Sequence, residues 1–436
     1  MMDKAKSVLL AFLVALSLVQ SYFLAYSMPS MEAKVKTEQD YVQTEPLGPQ
    51  QEVWKMLFPE QIVLHMGGDK HTVFFPDNTT YYDLILKKLQ GREFKGFQRD
   101  PVHVVDWDQV RRQDQGVELR FGRAVPFQLL QRVFKIEDFL FSGDSIDRIW
   151  IFARQDTGEV RTFFFSSDGR YVYESLRADM TVGDVATNVG FGQYWTPYQT
   201  TDGQLYVPEK PYSWLNEMQV PVTRYTSEQM QRSLFFDPGI TRSIQERKDG
   251  NQIYTDGKRG LKVEQAGSWM SYTDSAAPTE AKNDLADNVV AAVQFVNQHG
   301  GWNGLYSLGQ PPDPEANDSV IRFQQYYDHV PIISGSRMTF GYMQVTLQQG
   351  SVTSYERSLL LLGDKAVNKK NRVLPGGEQL RSLIYRSALG SRVMALYPAY
   401  RPLLKDNVMT LQPVWVIRLE NGSVKVVAES LPAGGT

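Results

Sequence analysis

QIVLHMGGDKHTVFF, residues 61–75, reads as two short apolar strands joined by a turn. Gln61–Met66 and His71–Phe75 are the strands, and Gly67-Gly68-Asp69-Lys70 is the glycine-rich link that a tight hairpin needs. Beyond it Tyr81, Leu84, Ile85, Lys88 and Leu89 recur at helical spacing and leave one apolar face. The unit therefore starts β-β-α, which places the chain in the α+β class.

Working towards the C-terminus, GVELRFG (116–122) alternates like a strand, and Pro126 stands where a first helical residue would, ahead of Leu129, Leu130, Val133 and Phe134. DRIWIFAR (147–154), VRTFFFSS (160–167) and RYVYESL (170–176) are separated by Asp156-Thr157-Gly158-Glu159 and Asp168-Gly169, the pattern of a meander. Residues 53–180 are expected to form one α+β domain. A β-rich middle domain is expected over 181–275, with a capping box at Thr226 and Gln229 and two turns at Asp249-Gly250 and Asp256-Gly257.

The C-terminal α+β domain is read over 276–436. It opens on an amphipathic helix carrying Leu285, Val289, Val293 and Val296 and stopped by Gly300-Gly301. IRFQQYYDHVPII (321–333) reads as a strand, Thr339 to Leu361 as a hairpin turning at Gln349-Gly350, and Lys365 to Arg372 as a basic loop. A second helix, with Leu380, Leu383, Ile384 and Ala388, leads to the closing strands. Helix followed by strands thus occurs twice, and LQQGSV (347–352) echoes LENGSV (419–424). Either a duplicated helix-plus-sheet unit or two ordinary hairpin turns accounts for the echo.

Towards the N-terminus, residues 28–52 are polar and proline-containing and read as a linker or stalk. Before them VLLAFLVALSLVQSYFLAY (8–26) has no charge. As a helix it spans about 28 Å, the thickness of a bilayer's hydrocarbon. Lys4 and Lys6 precede it, so residues 1–27 are expected to be a cytoplasmic start and a single transmembrane anchor, with the bulk of the chain outside the cytoplasm. Ala25-Tyr26-Ser27 also fits the cleavage site of a secretory signal, although the apolar run exceeds a signal core and Tyr22, Phe23 and Tyr26 resemble an interfacial belt.

The composition, 42% apolar and 22% charged over 436 residues with a net charge of −3, is that of a folded chain with no electrostatic footprint for nucleic acid. The absence of cysteine removes disulfides, thiolate metal sites and a cysteine nucleophile. No serine elbow, serine–lysine pair, zinc helix or phosphate loop occurs. His65 and His71 with Asp69 face one another across the first hairpin, but ordinary strand and turn residues explain them better than a metal. Asp106 and Asp108, flanking Trp107, fall on one face of a strand and admit a glycosidase pair, although solvent-facing polarity suffices. Arg111-Arg112 and Lys369-Lys370 read as solvated basic pairs. FGQYWTPY (191–198) reads as packing between domains or as an exposed recognition patch. No catalytic, cofactor or metal site is expected.

The lysine-flanked span, the passage through Trp54, Phe58-Pro59 and QIVLHM, and a cysteine-free tail of small α+β units resemble the YycH family, regulators of the YycG (WalK) two-component system of low-GC Gram-positive bacteria. That resemblance implies about three extracytoplasmic domains, the last similar to the sister protein YycI. It also implies a non-enzymatic role in which contact with the sensor histidine kinase YycG and with YycI adjusts cell-wall metabolism. Packing between helices in lipid depends on small and polar side chains. Ala11, Ala15 and Leu18, with Ser17, Gln20 and Ser21 nearer the outer end, are the candidate partner-binding residues of the span. The rival readings are an extracytoplasmic cell-wall enzyme and a secreted binding module.

Overall fold

The computed structural model describes residues 47–137, 140–246, 250–275, 284–309, 319–335 and 338–432, all within one compact unit, Thr44–Thr436. The expected span at 8–26, with Ala11, Ala15, Ser17, Leu18, Gln20 and Ser21, lies outside the described residues. Among those that are described, no helix is long and apolar enough to cross a membrane.

Three sheets carry the architecture, with strand predominating over helix. The first has ten described strands, ordered Val207–Pro208, Tyr198–Gln199, His71–Phe74, Gln61–Met66, Gln115–Pro126, Ser145–Ala153, Val160–Ser166, Tyr171–Ala178, Glu93–Pro101 and Lys135–Ile136. Its hairpin sits where the sequence places it, with His65 opposite His71. The meander over 145–178 is also present. Strand Gln61–Met66 is buried on both faces, which is why its sequence is a continuous apolar run rather than an alternation. Ile62 and Leu64 enter one core with Val117 and Leu119, whereas Val63 and Val73 enter another with Leu396 and Trp415. Each such side chain contributes about 1.5–3 kcal/mol of burial.

A further sheet runs Arg242–Gln245, Gln252–Thr255, Arg259–Glu264, Trp269–Asp274, Ser351–Ser358, Tyr342–Gln348, Val320–Tyr327 and Leu305–Gly309. Helix Leu285–Gln298 covers it through Val289, Ala292, Val293 and Val296, all buried. The Asp284 side chain caps this helix by accepting from the Ala286 amide. The last residues of the expected stalk are pinned to the other end of the same helix: Asn297 bonds both backbone groups of Gln51, at 2.9 and 3.0 Å, and the Trp302 amide donates to the Pro49 carbonyl. The segment read as one strand over 321–333 is a hairpin, because Asp328 and His329 both take positive φ, 47° and 63°, and return the chain to pair Tyr327 with Val330.

The remaining sheet joins distant pieces of sequence. Tyr212–Arg224 lies between Val408–Leu419 and Asn368–Leu374, with Val393–Lys405 beyond the former. The basic loop expected at 365–372 is therefore largely strand. Asn368, Lys369, Lys370 and Asn371 are exposed, so the segment shows no apolar alternation, and backbone pairing to Tyr212–Arg224 makes it a strand. Both copies of the L-x-x-G-S-V echo are hairpin turns, with Gly350 and Gly422 at φ 72° and 77°.

Candidate functional site

Where the three sheets approach one another they enclose a cavity of about 330 Å³, at the lower end of the range for small-ligand sites. Its wall combines Phe75, Pro76 and Asp77 from the first hairpin with Arg322, Gln324 and Tyr326, which alternate along one strand and so share a face. Tyr397, Pro398 and Arg418 close it from the third direction. Arg418 donates to both carboxylate oxygens of Glu60, at 2.8 and 2.9 Å. Tyr212 donates to Asp77 Oδ2 at 2.6 Å, while Asp77 Oδ1 is sealed from solvent with no hydrogen-bond partner among the described residues. Burial, opposed by the Tyr212 hydrogen bond, pushes the Asp77 carboxyl up to about 6. The Arg322 guanidinium lies 3.8 Å from the Tyr342 ring centroid and makes no direct ion pair among the described residues, while the Glu356 carboxylate acts on it electrostatically. Its burial lowers its affinity for a proton.

Apart from this cavity, the first sheet buries a polar network. Glu118, fully buried, accepts from His65 Nε2, Arg120 and Arg148 at 3.1, 2.9 and 3.2 Å. Burial alone would raise the Glu118 carboxyl; Arg120, the His65 hydrogen bond and Arg148 overcome it and hold the group well below the ordinary carboxylate range. His65 Nδ1 and His71 Nδ1 are 3.1 Å apart, and His71 Nε2 is 3.2 Å from Asp69 Oδ1. Three contacts need three N–H groups, and two neutral imidazoles carry two. With His65 donating to Glu118 and His71 donating to His65, the contact left without a proton is the one to Asp69, whose exposed carboxylate is free to turn to water. Burial lowers both histidines, His71 to about 4 with help from His65. Arg120 also donates to the Gly203 and Gln204 carbonyls, both at 2.6 Å, so the network fastens segment 203–206 over the sheet.

The comparisons agree over both halves of the chain. The family described as "YycH protein, N-terminal domain" matches residues 3–186, and "YycH protein, C-terminal domain" matches residues 202–429. The chain belongs to the YycH family. "Two-component system WalR/WalK regulatory protein YycH" of Bacillus subtilis (strain 168) is 19% identical over 456 residues, covering 98% of this chain and 97% of that protein. The crystal structure of YycH from Bacillus subtilis superposes with a TM-score of 0.68 at 17% identity, over 88% of this chain and 99% of that one, and so shares the fold.

In this YycH-family chain the paired aspartates do not face a cleft from a strand. Asp106 caps helix Trp107–Gln113 by accepting from the Gln109 amide, and Asp108 pairs with Arg111 at 2.9 Å. Arg111 is buried, not solvated, with Nε and Nη1 lacking partners among the described residues. The aromatic run divides: Phe191 packs on Tyr81, Trp195 stacks on Trp214 at 4.7 Å, Tyr198 is buried, and Tyr194 is exposed. His65, His71 and Asp69 do meet across the hairpin. Among the described residues no group of three histidine or acidic side chains is placed so as to hold a metal ion. Glu60, Arg322 and Arg418 escape sequence reading because they come from three separated strand ends. The alternation of Arg322 and Gln324 with Ile321 and Phe323 is the one local signal.

Proposed function

We propose that the chain is a non-enzymatic, membrane-anchored accessory regulator of a two-component system, acting on a sensor histidine kinase of the YycG/WalK type and through it on cell-wall metabolism. The observation that carries this reading is mutual coverage: the chain runs nearly end to end with a Bacillus subtilis protein whose name is that of a WalR/WalK regulator. Residues 8–26 support the anchor by length and apolarity, and Lys4 and Lys6 support a cytoplasmic start. The sister protein YycI is the second partner. In lipid the contact with the kinase runs through Ala11, Ala15 and Leu18, with Ser17, Gln20 and Ser21 able to hydrogen-bond across the helices.

The test replaces residues 7–26 with an unrelated single span and follows kinase output together with co-purification of the kinase. Loss of both is expected. Unchanged output and unchanged co-purification would remove the span from the mechanism.

A further inference from the structure

We propose that the cavity between the three sheets is a binding site for a small amphipathic carboxylate, held at its charged end by Arg322. Three observations bear on this, and none depends on the kinase role.

The first is charge accounting within the wall. Both oxygens of Glu60 are engaged by Arg418, and Asp77 turns one oxygen to Tyr212 and has the other sealed. Arg322 is the arginine at this wall that makes no direct ion pair among the described residues; Glu356 acts on it electrostatically without bonding it. A cation in a partly desolvated position is costly unless paired, and an anion entering the cavity supplies the pair.

The second is orientation. The guanidinium carbon sits 3.8 Å over the Tyr342 ring centroid, a cation–π contact that uses no N–H group and so leaves the donors for a planar acceptor. That edge is a two-pronged donor matching the two oxygens of a carboxylate. Gln324, next on the same face, turns its amide Nε2 away to donate to the Ile332 and Gly341 carbonyls.

The third is the remainder of the lining. Phe75, Pro76, Val330, Pro331, Ile333 and Val424 provide an apolar stretch in the same cavity. A fully charged or sugar-like ligand leaves this surface unmatched, whereas a carboxylate carrying a hydrocarbon or aromatic group covers it.

The experiment is calorimetric titration of the full chain in lipid nanodiscs with 3-phenylpropionate, blanked against empty nanodiscs. Saturable 1:1 binding is expected, at least tenfold weaker for the neutral 3-phenylpropionamide and at least tenfold weaker for 3-phenylpropionate with Arg322→Gln. Ser334→Trp, an exposed substitution at the lining, is expected to weaken 3-phenylpropionate while thermal unfolding stays within a degree or two of the parent; it keeps the test valid if Arg322→Gln misfolds. Absence of saturable binding, equal affinity for acid and amide, or full affinity in a folded Arg322→Gln protein overturns the proposal. Tighter binding of phenyl phosphate than of 3-phenylpropionate overturns the assignment to a carboxylate.

Discussion

Glu60 and Arg418 stand 358 positions apart in sequence, yet one guanidinium nitrogen of Arg418 lies within 2.9 Å of both carboxylate oxygens of Glu60. The pair ties the entry to the first sheet to the long strand Val408–Leu419. Removing one partner strands the other charge against the cavity wall. Glu60→Gln is expected to cost about 2–4 kcal/mol in urea unfolding, and Glu60→Gln with Arg418→Met to recover much of that loss. A double variant less stable than the single would show that the pair itself, not the stranded charge, carries the energy.

Gly122 is the steric counterpart of that pair. A Cβ there would fall 2.0 Å from Glu60 Oε2, and the residue has φ +69°. Gly158 has nearly the same φ, +68°, with nothing within 4 Å of its Cβ position. Alanine at Gly158 is expected to cost about 1–2 kcal/mol for the left-handed backbone alone. Alanine at Gly122 should cost clearly more, and equal losses in thermal unfolding would refute the clash.

Acid should destabilise the fold. His71 and His299 are each lowered to about 4, chiefly by burial, and His65 is lowered for the same reason. The folded state binds these protons less readily than the unfolded chain, so the stability they contribute is present above the ordinary histidine value and disappears as pH falls towards 4. For His71 alone the amount is roughly 3 kcal/mol. Asp77, raised to about 6, has the opposite sign: its contribution is present at low pH and is lost as pH rises through 6. The thermal midpoint should therefore drop between pH 6.5 and 4, and drop more steeply in Asp77→Asn. A midpoint that climbs on acidification contradicts the assignment.

Arg357 is fully buried, and its guanidinium donates to the Gly301 carbonyl at 2.8 Å, Tyr355 Oη at 3.0 Å and Asn303 Oδ1 at 3.3 Å, with no carboxylate beside it among the described residues. Lysine retains the charge but cannot reach these acceptors together. Arg357→Lys is expected to lose on the order of 3 kcal/mol in urea unfolding. Arg322→Lys gives up the guanidinium contact with the Tyr342 ring but no hydrogen bond to a protein acceptor among the described residues, and should lose clearly less, about 1 kcal/mol. Similar losses for the two would mean that Arg322 has a structural partner.

Local patterns in the sequence carried the local structure. Strands Gln61–Met66 and His71–Phe74, the helix through Val289, Val293 and Val296, and the capping box of Thr226 with Gln229 each rest on neighbours within a few residues. What the pattern could not disclose was assembly between distant strands. Asn368–Leu374 is polar because its strand is exposed, and its pairing with Tyr212–Arg224 leaves no periodic trace. The cavity wall was hidden for the same reason, since Glu60, Arg322 and Arg418 become neighbours only after three sheets are in place. Asp106 misled in the other direction: alternation suggested a strand, where a short side chain before Trp107 was a helix cap.

The position of Tyr212–Arg224 between Asn368–Leu374 and Val408–Leu419 imposes an order of birth on the molecule. At ribosomal speeds of about 5–20 residues per second, the interval between completing residue 224 and completing residue 419 is on the order of 10–40 s. Neither flanking partner of this thirteen-residue strand exists until residue 368 is reached, and Val408–Leu419 is finished only at the end of the interval. The whole of the sheet running from Arg242 to Ser358 is synthesised in the meantime, so the chain must complete a later structure before it can close an earlier one.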